Sequence, residues 1–392
     1  MYLTALIASA NANSYVQTTI PVQEQRYPDR IVVKDEPAAK AILGAETKIK
    51  FQLKDQYGED LGNIPATVTN ANGQSYSFQV KVELSGDTAT SGITATDGLS
   101  RTYNDTNKSY VFDNSEFDDF NKEITINTTP GSTGKVTVKA VIQRKTATTN
   151  WVDYSTAVSR SVEAIKSDAD LTFELASLGT IYAMIDKKPL GQTSPDYSAD
   201  SSFFAKKLEV TAKDSSGSKV ALPNDRIISV VAENPAIVDV HTDAANFKGF
   251  VLGNKAGETT VTAVVYTNKE VHVTLTSKVT VSDQPIYVAE LKADNDNATY
   301  TTQTNVFQFF NHLIVKDQYG VEYKSDGTTT NPIVTYEKLL GIRFAVTSKN
   351  AGTVDINPVT GQINSISADA QEFVITATAP NGKAVSVLVT RP

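Results

Sequence analysis

Residues 112–121 concentrate side chains that can bind a hard cation. They hold two amides and four carboxylates, the latter being Asp113, Glu116, Asp118 and Asp119. Calcium takes six to eight oxygen ligands, and carboxylates and amides supply such oxygens. The spacing lacks the Gly and the Glu of an EF-hand loop, so a solvated loop is the competing interpretation. We therefore treat calcium binding by this segment as a hypothesis.

Other acidic positions extend the calcium hypothesis. Asp168 and Asp170 lie at an expected junction between domains, where a bound cation could stiffen the joint. Asp294 and Asp296 alternate with asparagines, and such residues also form turns through hydrogen bonds to their own backbone. Turn formation is therefore the alternative interpretation of the second pair.

No constellation typical of an active site is present in the sequence. The histidines His241, His272 and His312 have no nearby Ser or Cys and no second His at a metal-binding spacing. Asp118 and Asp119 are adjacent, so on a strand they would point to opposite faces and could not act on one bond. The chain contains no cysteine, which excludes thiol catalysis and disulfides. We predict that the protein is not an enzyme.

The charge balance excludes other classes of partner. The net charge of −8 argues against binding to nucleic acid or to an anionic membrane, since both require clustered Lys and Arg. No segment approaches the roughly 20 apolar residues of a membrane span.

The single tryptophan, Trp151, is expected near a turn of the first domain. It could stack on a sugar or fill a neighbour's pocket, or it could cap a core.

An internal repeat indicates which elements position these residues. Lys-Asp-Gln-Tyr-Gly occurs at 54–58 and 316–320, and a degenerate copy, Lys-Asp-Ser-Ser-Gly, occurs at 213–217. Each copy follows a strand-like alternating run and ends in a Gly that can adopt positive φ at a turn. Later strands also repeat, at 134–141, 257–264 and 372–378, after a shorter motif at 236–240 and 352–356. Such ordered repetition predicts an array of related β modules.

Alternation of apolar and polar residues predicts that each module is a sandwich of two sheets. The connectors 22–25 and 281–284 also match each other ahead of a repeat. Residues 2–8 and 15–22 resemble the last two strands of the chain, which suggests a closing hairpin of a truncated domain. A secretory signal is the alternative, although no Lys or Arg precedes Arg26. Residues 168–183 are ambiguous between a short helix and an extended segment.

Residues 208–281 and 315–389 resemble bacterial Ig-like group 2 domains through the Lys-Asp turn and the strands at 236–240 and 257–263. Repeats carrying Lys-Asp-Gln-Tyr-Gly after an alternating strand are similar to those of surface-layer (S-layer) proteins of Gram-positive bacilli. The resemblance implies an all-β tandem array of Ig-like β-sandwich domains. It also implies an extracellular location at the cell surface or cell wall, and calcium-linked assembly.

Four segments follow from these landmarks. Residues 1–28 are expected to form the closing hairpin and a connector. Residues 29–167 are expected to form an Ig-like domain with an elaborated loop or extra hairpin at about 84–129. Residues 168–283 and 284–392 are expected to form two domains of the group 2 type.

The predicted function is structural. We expect a secreted subunit of a surface layer that binds copies of itself in a two-dimensional lattice, with calcium as a cofactor of assembly. Attachment to a cell-wall polymer is expected through a region outside this chain. The alternatives are the stalk of a bacterial adhesin and sugar-binding accessory modules of a cell-wall enzyme.

Overall fold

The structure is a computed structural model. It describes residues 2–8, 13–19, 24–61, 64–65, 67–70, 72–87, 92–113, 123–129, 131–183, 199, 202, 204–223, 225–293, 297–310, 313–324 and 340–391, with the first two ranges as backbone only. Regular structure in these ranges is almost entirely β. The predicted fold class is confirmed: the chain is an all-β tandem array of Ig-like sandwiches. No described helix is long and apolar enough to cross a membrane.

The first two strands form a hairpin near the N-terminus. They are β1 (Tyr2–Ala8) and β2 (Asn13–Thr19). Their antiparallel register pairs Tyr2 with Thr19 and Ala8 with Asn13. The predicted hairpin is therefore present, with its second strand beginning two residues earlier than the sequence match suggested.

The first sandwich consists of two sheets that enclose one core. Its strands are β3 (Pro28–Asp35), β4 (Lys40–Ile42), β5 (Glu46–Asp55), β6 (Val68–Thr69), β7 (Ser75–Gly86), β8 (Thr94–Thr96), β9 (Thr102–Tyr103), β10 (Ser109–Phe112), β11 (Ile124–Asn127), β12 (Lys135–Lys145), β13 (Val152–Asp153) and β14 (Val158–Ile165). One sheet has the order β3-β5-β11-β8-β9, and the facing sheet begins β10-β7-β12-β14-β4. The described residues of the range 94–127 thus form four strands.

Alternation along these strands builds the first core. Phe51 and Leu53 of β5 and Val80 and Val82 of β7 are all buried in one cluster. Every second side chain of a strand points to the same face, so a run of alternate apolar residues buries one row against the facing sheet. The first core also includes Ala212 and Val220, which belong to later strands.

The second sandwich follows a short connector. Its strands are β15 (Thr172–Leu175), β16 (Thr180–Tyr182), β17 (Lys206–Lys207), β18 (Val210–Lys213), β19 (Lys219–Ala221), β20 (Ile227–Ala232), β21 (Val238–Asp243), β22 (Lys248–Gly253), β23 (Gly257–Tyr266) and β24 (His272–Ser282). The sheets have the orders β16-β24-β23-β20 and β17-β22-β21. Val261, Ala263 and Val265 line the core from β23. The ambiguous segment 168–183 contains two strands and is extended.

The third sandwich contains the helix of the described residues. Its elements are β25 (Val288–Ala293), β26 (Asn297–Thr299), α1 (Phe307–Phe310), β27 (Leu313–Asp317), β28 (Glu322–Lys324), β29 (Arg343–Ser348), β30 (Val354–Ile356), β31 (Ile363–Ile366), β32 (Glu372–Thr378) and β33 (Ala384–Thr390). The sheets are β25-β27-β28, β26-β33-β32-β29 and β30-β31. α1 places Phe307, Phe309 and Phe310 in the core.

Candidate functional site: the joints between sandwiches

The repeated Lys-Asp motif folds into the same turn in all three copies. Oδ1 of Asp55 accepts hydrogen bonds from the backbone N–H groups two and four residues later, at 2.9 and 2.8 Å. The equivalent bonds measure 2.9 Å at Asp214 and at Asp317. The glycine three residues after each Asp has a φ of +86°, +81° or +74°, which explains the Gly of the motif. Asp and Gly therefore specify the turn.

The same turn recurs where the sequence showed no repeat. Asp97 accepts from the N–H groups of Leu99 and Arg101, although Ser100 occupies the positive-φ position with a φ of +60°. Asn70 forms another copy. Sequence comparison missed the turn at Asp97 because this copy has Ser100 where the motif has Gly. An Asp followed four residues later by Arg101 does not by itself predict this turn.

The Gln and Tyr of the motif are not needed for the turn. In the degenerate copy Ser215 and Ser216 replace them, yet the Asp214 turn retains its backbone geometry. A residue pair that the turn does not require is available for another role. Gln56 with Tyr57, and Gln318 with Tyr319, therefore define a candidate site, which we call the Gln–Tyr clamp.

The second clamp holds the connector that precedes the third sandwich. Gln318 donates from Nε2 to the carbonyl of Pro285 at 2.8 Å and accepts from the N–H of Tyr287 at 2.9 Å. The hydroxyl of Tyr319 donates to the carbonyl of Gln284 at 2.6 Å. Three hydrogen bonds thus fix the path of the chain as it enters the sandwich.

The first clamp makes the same three contacts with the connector before the first sandwich. Gln56 donates to the carbonyl of Gln25 and accepts from the N–H of Tyr27, both at 3.0 Å. Tyr57 donates to the carbonyl of Glu24 at 3.2 Å. Gln25 is therefore equivalent to Pro285, so the sequence match of 22–25 with 281–284 was wrong by one residue.

The two clamps differ in their surroundings. Tyr57 is 39% exposed, whereas Tyr319 is 7% exposed and packs against Tyr182 of the second sandwich, with ring centroids 5.3 Å apart. Tyr182 also contacts Phe204 at 5.2 Å between centroids. Phe204 and Leu252 are buried in the same cluster as the third core. The joint between the second and third sandwiches is therefore apolar as well as hydrogen-bonded.

The first and second sandwiches are joined by a continuous sheet instead of a clamp. β4 pairs in parallel with β14 on one side and with β19 on the other. The sheet of the first sandwich consequently continues through β19 and β18 to β15 of the second. Backbone hydrogen bonds across a joint resist bending much more than a flexible linker does.

An ion pair lies beside this shared sheet. Nζ of Lys40 is 2.5 Å from Oδ2 of Asp214, and the two side chains are only 28% and 12% exposed. The ammonium of Lys40, followed by the hydroxyl of Ser216, holds the pKa of Asp214 well below its ordinary value. The degenerate turn therefore acts at a joint through its Asp, whereas the intact turns act through Gln and Tyr.

The loop between β23 and β24 of the second sandwich also reaches the connector from the first. Nδ2 of Asn268 donates to the carbonyls of Ser167 and Ala169, each at 2.8 Å. Lys269 pairs with Asp170, and this ammonium lowers the pKa of the Asp170 carboxyl. Asp170, predicted as a calcium ligand, thus contacts a cation of the protein.

The remaining predicted calcium ligands are only partly covered by the structure. Those outside the described residues are Glu116, Asp118, Asp119, Asp294 and Asp296. Asp113 and Asp168 are exposed. Within the described ranges no group of three His, Asp or Glu side chains is arranged to hold a metal ion. Calcium binding stays a prediction.

The other singled-out residues lie in ordinary surroundings. His241 is in β21, and His272 begins β24 with its ring 5.5 Å from that of Tyr266. His312 lies outside the described residues.

Trp151 is half-buried, with the ammonium of Lys145 4.6 Å from its ring, and it does not belong to the first core. The structure therefore does not support the core-cap interpretation of Trp151.

Comparisons with known proteins give distant structural matches. No protein-family model matches the sequence, and no curated protein matches it. Domains 4–9 of the surface layer protein SbsC match 100% of this chain and 54% of that chain, at 16% identity and a TM-score of 0.35. The human desmocollin-1 ectodomain matches 98% of this chain and 64% of that one, at 8% identity and a TM-score of 0.19. The chain thus spans about half of the SbsC fragment, and these values assign it to no family.

Proposed function

We propose that the chain is a structural subunit of a bacterial surface layer, which assembles with copies of itself through lateral contacts between its sandwiches. The observation that carries the proposal is the construction of the joints. A shared sheet joins the first and second sandwiches, and an apolar contact beside the second clamp joins the second and third. The first clamp fixes the connector that enters the first sandwich. A lattice needs fixed angles within each subunit, because an error at one joint displaces every contact beyond it.

Weak lateral contacts are sufficient for such a subunit. Once one contact forms, neighbouring contacts become intramolecular and benefit from a high effective concentration. The net charge of −8 opposes close packing of copies. We propose that calcium bridges carboxylates between copies, with Asp113, Asp118 and Asp119 as the first residues to test. The location that we propose is extracellular, at the cell surface.

Light scattering and electron microscopy test assembly while calcium is raised from chelated to millimolar. We expect growth from monomers to sheets, with magnesium at equal concentration less effective. Replacement of Asp113, Asp118 and Asp119 by Ala should raise the calcium requirement, while Asp105→Ala, at another exposed acidic position, serves as the matched control. A rod-shaped monomer at every calcium concentration would contradict self-assembly and favour an adhesin stalk.

A further inference from the structure

A cleft of about 220 Å³ lies between residues 24–27, the start of β7 and the end of β12. Aromatic side chains form much of its wall, namely Tyr27, Tyr76, Phe78 and Tyr154. Tyr27 stacks on Phe78 with ring centroids 5.8 Å apart and an interplanar angle of 9°. The cleft is smaller than the roughly 300–1,000 Å³ of sites for drug-sized ligands, so it suits a single ring.

Among the described residues, one cation, Arg144, lines this cleft. The guanidinium carbon of Arg144 is 4.4 Å from the ring centroid of Tyr154 and 5.1 Å from that of Tyr76. Within the part of the chain that the structure describes, no carboxylate or carbonyl bonds to this guanidinium. Arg26 and Arg160, in contrast, each bond to a carboxylate of the chain. The aromatic rings orient Arg144 while its N–H groups keep their capacity to bind an anion.

The polar side chains at the rim of the cleft limit which kind of anion could bind there. Asn70, Asn72 and Thr69 supply amide and hydroxyl groups, which match sugar hydroxyls. Glu24 also lines the cleft and would repel a compact dianion such as phosphate more than a ring with one charge at its edge. Burial and the neighbouring Tyr154 raise the pKa of Tyr27, so its phenol stays a neutral hydrogen-bonding group.

We propose that the cleft binds one hexuronic acid unit of an acidic saccharide. The ligand carboxylate bonds to the planar fork of Arg144, which matches a carboxylate in two parallel hydrogen bonds. The ring hydroxyls bond to the amides at the rim and to Glu24, and the apolar face of the sugar ring packs against the aromatic wall. This activity is independent of self-association and would remain if the chain proved to be monomeric.

Titration of the whole chain with glucuronate and galacturonate, followed by calorimetry and by NMR, tests the site. We expect saturable binding of at least one uronate, with the corresponding neutral methyl glycoside and inorganic phosphate binding at least tenfold more weakly. Arg144→Gln should weaken uronate binding at least tenfold. Arg160→Gln, which removes an arginine from the neighbouring strand β14, should leave uronate binding unchanged.

A second measurement uses the unmodified protein, so its result does not depend on whether Arg144→Gln folds. In nitrogen-labelled protein the Nε–H signal of Arg144 should shift on addition of uronate and stay in place with the neutral sugar. Equal binding of charged and neutral sugars would overturn the proposal, as would uronate binding that survives Arg144→Gln, or no binding. Tighter binding of an oligoglutamate peptide would also overturn it and would assign the cleft to an acidic protein segment.

Discussion

The hydroxyl of Tyr319 donates a 2.6 Å hydrogen bond to the backbone carbonyl of Gln284, across the joint between the second and third sandwiches. The oxygen of the same hydroxyl also lies 3.2 Å from Oγ of Ser282, close enough to accept a hydrogen bond from the serine. The ring of Tyr319 packs against Tyr182. One side chain of a repeated turn therefore fixes the connector, the preceding strand and the preceding sandwich.

Loss of the Tyr319 hydroxyl should loosen this joint. We expect Tyr319→Phe to cost about 1 kcal/mol, the usual net contribution of one hydrogen bond, while the ring keeps its packing against Tyr182. Small-angle X-ray scattering should show a broader distribution of shapes, and proteolysis near residues 282–286 should become faster. Tyr287→Phe is the control because Tyr287 is 55% exposed. Unchanged scattering and proteolysis would show that the hydroxyl does not restrain the joint.

The ion pair between Lys40 and Asp214 should make the first joint sensitive to acid. The folded pKa of Asp214 is lowered, so its stabilising effect is present above the unfolded value of about 3.9 and is lost as the pH falls toward the folded value. The pKa of Lys40 is raised by the same contact, so the alkaline loss begins only above about pH 10.

Lys40→Gln tests that expectation. Between pH 5 and pH 9 the variant should unfold at a lower urea concentration than the unmodified chain, and the difference should shrink toward pH 2. Lys213→Gln is the matched control, because Lys213 pairs with Glu174 where both side chains are about half exposed. A difference that is constant across the whole pH range would exclude the ion pair as its cause.

The carboxylate of Asp317 should contribute more to stability than that of Asp214. Asp317 is 2% exposed and, besides its two backbone bonds, accepts a 2.9 Å hydrogen bond from the buried hydroxyl of Tyr323. Asp317→Ala removes this buried hydrogen bond, at a cost of about 1 kcal/mol beyond the turn itself. Hydrogen exchange in β25 and β27 should accelerate more than exchange in β15 and β18 does after Asp214→Ala. Equal acceleration would contradict the role of burial.

Gly352 should tolerate no side chain. A Cβ at this position would lie 2.0 Å from the backbone nitrogen of Ala370, whereas a Cβ at Gly249 would meet a side-chain methyl of Val230 at 2.5 Å. Backbone cannot move aside as readily as a methyl group, so Gly352→Ala should lower the melting temperature of its sandwich more than Gly249→Ala does. A larger effect of Gly249→Ala would show that the backbone at Ala370 can shift to make room for the added methyl group.

The local sequence determined the turns and the strands of this protein. Asp and Gly at a fixed spacing specify each repeated turn through bonds within five residues, and alternation specifies which face of a strand is buried. These interactions depend on near neighbours, so they can be predicted from the chain alone. The turn at Asp97 was not predicted, because Ser100 adopts the positive-φ conformation that Gly usually provides.

Only the tertiary structure decided how the sandwiches are joined. The contacts of Gln318 with the connector span 33 residues, and Lys40 and Asp214 are separated by 174 residues. The contact of Lys40 with Asp214 forms only when two sandwiches come together, and that of Gln318 only when the connector lies beside the folded turn. No local propensity encodes which edge strand or turn is met. For the same reason the Arg144 cleft, built from three distant segments, could not be recognised in the sequence. Interactions between near neighbours in the sequence determined the turns and strands of each sandwich. Contacts between distant residues determined how the sandwiches are joined.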